Sequence, residues 1–130
     1  MADNDPHTQS HRPTELRLKR EERVLEVDFD TGESFRLPAG LLRVESPSAE
    51  VQGHGPGQKQ IVPGRRHVGI MRIEPVGNYA VRLCFDDLHD TGLYSWDYLY
   101  ELGEDQAEKW ADYLEAVERQ GLSRDPPGRG

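Results

Sequence analysis

The chain has 130 residues and a formal net charge of −8, and it is 35% hydrophobic against 31% charged. That length holds one domain, and the acidic balance disfavours binding to a phosphate backbone. The single cysteine, Cys84, excludes an internal disulfide and a cysteine-cluster metal site, and no apolar stretch approaches the roughly 20 residues needed to cross a bilayer.

Residues 1–13 (MADNDPHTQSHRP) have little to bury and are expected to form a disordered tail. They lack the apolar segment of a signal peptide, so a soluble, cytoplasmic protein is the default. His7 and His11 sit four apart in this tail, but Pro6 and Pro13 argue against the helix that would align them. From Glu15 to Lys19 the sequence alternates, with Leu16 and Leu18 on one side. From Arg23 to Phe29 it alternates again, with Leu25, Val27 and Phe29 inward and Glu26 and Asp28 outward. Asp30-Thr31-Gly32-Glu33 predicts a turn into a third strand bearing Phe35 and Leu37. The basic runs Arg17, Lys19, Arg20, Arg23 and Lys59, Arg65, Arg66 read as charges on solvent faces, not as a nucleic-acid site.

Pro38 closes the third strand and opens a short helix through Val44. Ser46-Pro47-Ser48 ends that helix, because the residue before a proline is pushed away from helical geometry. Residues 46–64 (SPSAEVQGHGPGQKQIVPG) hold four glycines and three prolines and predict an irregular excursion; loops of this length carry function or move. Val68 to Glu74 predicts a fourth strand. In Tyr79 to Phe85, the residues Tyr79, Val81, Leu83 and Phe85 share one face of a fifth. The acidic turn 86–92 follows. Ser95 is placed to cap a short aromatic helix, and Gly103 to end it in the left-handed conformation. Trp110, Tyr113, Leu114 and Val117 form an apolar stripe on a longer helix over residues 104–120, stopped by Gly121. Residues 122–130 are expected to be a second tail. The result is an α+β domain over residues 14–121: an antiparallel meander with a short aromatic helix and a longer amphipathic helix packed on one face.

Chemistry-bearing residues are few. Gly53-His54-Gly55-Pro56-Gly57 lacks the Lys-Ser/Thr of a phosphate loop, and no serine sits in a G-x-S-x-G setting. Cys84 lies mid-strand with no neighbouring base and reads as a packing residue. Asp86, Asp87 and Asp90 cluster with His89. Carboxylates and imidazole can ligate a cation, whereas aspartates in turns commonly cap backbone N–H groups. His54 and His67 are the histidines that could join His89 in a metal site.

The stretches LPAGLLRVESPSAEVQGHGPGQ, VGIMRIEPVGNYAVRLCF and HDTGLYSWDYLYELG carry a resemblance. Residues from about 14 to 103 resemble the N-terminal domain of gamma-butyrobetaine hydroxylase and the small stand-alone bacterial proteins named after it, which have no assigned function. The resemblance implies a compact α+β fold. In the hydroxylase it also implies a structural zinc with three cysteines and one histidine. The matching positions here are Ser46, Ser48, Val51 and His89, so three of the four ligands are absent and the zinc is not carried over. The catalytic iron of the hydroxylase lies in a separate domain, and no oxygenase activity is expected. A related domain ends plastid P-loop proteins that carry iron–sulfur clusters; one cysteine cannot hold such a cluster, but the chain could dock to a protein that does.

Three readings of function follow, the third being an enzyme of unassigned reaction in a pocket near His54 and His89, for which no base–nucleophile pair gives a reaction class. The first is a non-catalytic accessory or interaction domain with no cofactor, no nucleic-acid or membrane partner, and an unidentified protein partner of iron–sulfur or oxygenase type. Its contact surface would be the loop carrying Ser46, Ser48, His54 and Gln58. The second is a protein that binds iron or zinc through His89 with His54, His67 or nearby aspartates, linked to iron–sulfur protein maturation.

Overall fold

Alternation in the first third of the chain produces the strands it predicts. A computed structural model describes residues 9–55 and 57–126; His7 lies outside them. Strands β1 (Pro13–Lys19), β2 (Val24–Phe29) and β3 (Ser34–Pro38) make an antiparallel sheet in that order. Leu25, Val27 and Phe29 are buried, and the alternate residues Glu26 and Asp28 accept hydrogen bonds from Arg17 on β1 at 2.9 and 2.8 Å. One strand therefore supplies both core and wet face.

The expected meander is divided in two. Strands β4 (Ile70–Val76), β5 (Ala80–Phe85) and β6 (Leu93–Ser95) form another three-stranded antiparallel sheet. At three residues, β6 is too short to show a period, so alternation in the sequence does not reveal it. Helix α1 (Ala39–Val44) follows β3 directly from Pro38, and α2 (Ala49–Gln52) is one turn inside the stretch expected to be irregular. Helix α3 (Trp96–Glu104) starts at Ser95, whose hydroxyl accepts the Tyr98 N–H at 3.2 Å, and α4 (Gln106–Arg119) follows almost without a break.

The main core lies between the two sheets and α3. Leu25, Leu37, Leu83, Phe85, Leu99 and Leu102 are all within it and lack solvent exposure, each contributing about 1.5–3 kcal/mol of burial. A smaller cluster of Val44, Tyr113 and Val117 fastens α4 to the end of α1.

Three details differ from expectation. Gly103 lies inside α3, without a left-handed φ. It is needed there because a Cβ would collide with the Phe35 ring. Leu114, assigned to the buried stripe of α4, is 41% exposed, and Ala116 is buried in its stead. The segments expected as tails are partly docked. His11 stacks on Tyr100 at 3.6 Å and meets Asp97 at 2.9 Å. At the other end, Gly64 and Arg66 donate backbone hydrogen bonds to Ser123 and Arg124, both at 2.9 Å. Among the described residues no helix is long and apolar enough to cross a membrane.

Candidate functional site

Helix α1 ends at Val44, and the chain turns at Ser46 because Pro47 follows. The turn faces the β5–β6 connection, and α2 returns beside it. Polar side chains from all three segments converge on His89, whose side chain is only 3% exposed.

His89 Nε2 is 2.9 Å from Ser46 Oγ, and Nδ1 is 3.1 Å from Glu50 Oε1. Burial lowers the His89 pKa, and the neighbouring Arg43 charge lowers it further, against the opposing pull of Glu50 and Asp87. The ring is therefore neutral near pH 7. A carboxylate can only accept, so Nδ1 donates to Glu50, Nε2 is left as acceptor, and the Ser46 hydroxyl donates to it. Ser46 Oγ also accepts the Ser48 N–H at 3.2 Å, and Ser48 Oγ lies 2.7 Å from Thr91 Oγ1. The Ser48 hydroxyl caps α2 through the Glu50 N–H at 3.1 Å, which positions Glu50 for the ring. The neighbouring Tyr94 hydroxyl donates to the Leu42 carbonyl, and burial raises its pKa. Gly92 is required beside this centre, since a Cβ there would overlap Ser46 Oγ.

Asp87 ties the turn to the rest of the domain. Its Oδ1 accepts the His89 N–H at 3.1 Å, while Oδ2 accepts Arg43 Nε at 2.8 Å and Arg65 Nε at 2.5 Å. Burial raises its pKa, but the Arg43 bond, the His89 N–H and Arg65 outweigh that, and the carboxyl is held below its usual range. Arg43 Nη1 is the buried side-chain nitrogen that lacks a partner among the described residues. Leu88 completes the turn with φ +73 and 80% exposure, a left-handed position that glycine or asparagine would occupy more easily.

Ser46, His89 and Glu50 stand in the order of a hydrolytic triad. Ser46 has no exposed surface, and neither it nor His89 lines the groove over α4 or the two smaller cavities beside Asp87 and Tyr113. A nucleophile so enclosed cannot meet an acyl substrate.

The zinc of the hydroxylase does not fit either. Zinc takes thiolate, imidazole or carboxylate ligands; the matching side chains here are two hydroxyls, the buried methyls of Val51 and a histidine with both nitrogens engaged. Among the described residues, no three His, Cys, Asp or Glu side chains gather as a metal site would require. His54 is exposed, its backbone N–H held by Gln58 Oε1 at 3.1 Å. His67 is exposed at a small cavity with Asp86 and Asp87. The three-histidine grouping is not formed. The interaction loop also needs correction: Ser46 and Ser48 are buried against His89 and Thr91, which leaves His54 and Gln58 as its exposed members.

Sequence reasoning found His89 and Ser46 but missed Glu50, Arg43 and Thr91. Their partners lie more than thirty residues away, and nothing in spacing reports that. The one available signal was Ser48 two residues before Glu50, which marks a helix start.

A family model described as gamma-butyrobetaine hydroxylase-like, N-terminal, matches residues 16–100. Two solution NMR structures are similar to this chain, with a TM-score of 0.79 in each case. One is 46% identical, over 89% of this chain and 91% of its own; the other is 49% identical, over 94% and 91%. A crystal structure of a protein of unknown function from Acidithiobacillus ferrooxidans, assigned to the DUF971 family, is 43% identical over 77% of this chain and 98% of its own, with a TM-score of 0.60. No curated protein matches.

Proposed function

This chain belongs to the gamma-butyrobetaine hydroxylase-like N-terminal family, and from that premise we propose that it is a non-catalytic docking domain whose His89 centre is a structural fastener made of hydrogen bonds. One observation carries this reading: the constellation in the chain closest to a catalytic one, Ser46–His89–Glu50, satisfies itself internally and offers its serine no solvent contact. A closed network of this kind fixes the relative position of α1, α2 and the β5–β6 turn. What remains for function is the outer surface. The kinship with domains that end iron–sulfur P-loop proteins makes a protein of that type the first partner to test.

The test is cross-linking in cells of the native host, followed by reconstitution of the recovered partner from purified components. A saturable complex of defined stoichiometry is expected. Failure of every recovered candidate to form a complex overturns the docking reading.

A further inference from the structure

We propose that the open groove between α1 and α4 is a docking site for an amphipathic helix of a partner protein whose apolar stripe is flanked by carboxylates. The proposal rests on the docking-domain reading and names the surface and the partner chemistry.

The groove encloses about 970 Å³. Its lining is mainly apolar: Pro38 and Gly40 on one side, with Ala39 and Leu41 almost fully covered beneath them, Ala107, Ala111 and Leu114 of α4 on the other, and Trp110 between. The α4 residues recur at i, i+4 and i+7, an additional apolar face on a helix whose other face is already buried through Tyr113 and Val117. This accounts for Leu114, which the sequence assigned to the core and which stands 41% exposed. From Gln106 to Leu114 the α4 wall of the trough extends about 12 Å, a little over two turns of a guest helix. A small-molecule site would bury most of its ligand's surface; this trough is only half enclosed, which suits the stripe of a helix laid into it.

Charge selects the guest. Arg23, Arg66 and Arg124 line the groove against Glu22 and Glu104. Glu22 is bound to Arg36 at 2.6 Å, and Arg66 is bound to Asp125. Among the described residues, Arg124 lies 4.8 Å over the Trp110 ring without a carboxylate partner and Arg23 has no side-chain hydrogen bond. Among the described residues, the charges lining the groove without an ion-pair partner are two arginines, one of them stacked on Trp110, against one glutamate, on a chain whose net charge is −8. An acidic helix is repelled by most of this surface and accepted here, so the field favours one docking place. Arginine and tryptophan are also the residue types that dominate interface energetics.

The probe is a synthetic amphipathic peptide of leucine and glutamate, about four helical turns long, titrated into the full isotope-labelled chain and followed by amide chemical shifts. The control peptide carries lysine in place of glutamate. Saturable shifts confined to α1, α4 and the backbone around Arg23 are expected. Ala111→Trp, which fills the trough at an exposed position, and the charge reversal Arg23→Glu should each weaken binding about tenfold or more, the scale of one lost hot spot, while melting temperatures stay unchanged. Leu114→Glu supplies another block if Ala111→Trp disturbs folding. The proposal is overturned if the glutamate peptide does not bind, if its shifts fall elsewhere, if the lysine peptide occupies the groove equally well, or if the blocking variants bind normally. A reconstituted partner seated on another surface would remove the groove and leave the docking reading standing.

Discussion

Around His89, segments from both halves of the chain turn polar atoms inward and satisfy them against one another, Arg43 Nη1 excepted; along α4, an apolar strip of Ala107, Ala111 and Leu114 faces solvent beside the half-buried Trp110. The His89 centre is built of reactive residue types and is closed. The α4 strip is built of unreactive ones and is open. Chemistry-bearing side chains thus do not mark the exposed surface of this domain. A buried hydrogen-bonded group is structural until something can reach it, whereas an uncovered apolar surface rimmed by unpaired charge has unmet contacts.

Substitutions separate the two regions, and the largest effect should come from Asp87. Asp87→Ala leaves the buried Arg43 guanidinium without its anion and the β5–β6 turn without its backbone acceptor. Losing one partner of a buried ion pair costs about 3–5 kcal/mol, measurable as a shift in the denaturant midpoint. A loss below about 1 kcal/mol, the range of exposed pairs, would mean the network does not fasten the fold. His89→Ala should cost somewhat less, about 2–3 kcal/mol, from the cavity and the stranded Ser46 hydroxyl. Neither change touches the groove, so peptide binding by the folded fraction should survive both.

Acidification acts on the same centre without a substitution. The folded-state pKa of His89 lies below its unfolded value, so the unfolded chain binds the extra proton first. Stability is full above the unfolded histidine value of about 6.5 and is lost as pH falls through the folded value. Asp87, also held low, adds a further loss below about pH 4. Thermal melts from neutral to mildly acidic pH should show a steeper decline for the native chain than for His89→Gln; equal slopes would show that the ring gains or loses no proton on unfolding. The smallest effect is expected at the groove. Leu114→Ser removes an exposed side chain and should move stability by no more than about 0.5 kcal/mol, while weakening helix docking.

The fold was legible wherever one face of an element is wet. Leu25, Val27 and Phe29 declare β2 because burial alternates along it, and Val81, Leu83 and Phe85 declare β5 by their period of two although Ala80 and Cys84 on its other face are buried as well. Ser95 declares the start of α3 for a different local reason, its hydroxyl accepting the Tyr98 N–H. Gly103 misled, because a glycine chosen for close approach to Phe35 has the same letter as one chosen for a left-handed cap. Leu114 misled because an amphipathic stripe records apolarity and not what covers it. At the site, His89 is legible from its acidic turn and Ser46 from the family resemblance, while Glu50 and Arg43 are not, since their roles depend on a tertiary crossing between α1, α2 and the β5–β6 turn. Ser46 and Ser48 share the loop around His54 in sequence, and no local pattern reports that their side chains turn inward.

The claim beneath all of this is that hydrogen bonds, and no metal ion, hold the His89 centre together. It is tested most directly by elemental analysis of untagged protein from its native host, with thermal melts before and after exhaustive chelation. The account predicts far less than one zinc or iron per chain and the same melting temperature in both samples. One tightly held ion per chain, with unfolding when it is stripped, would contradict it.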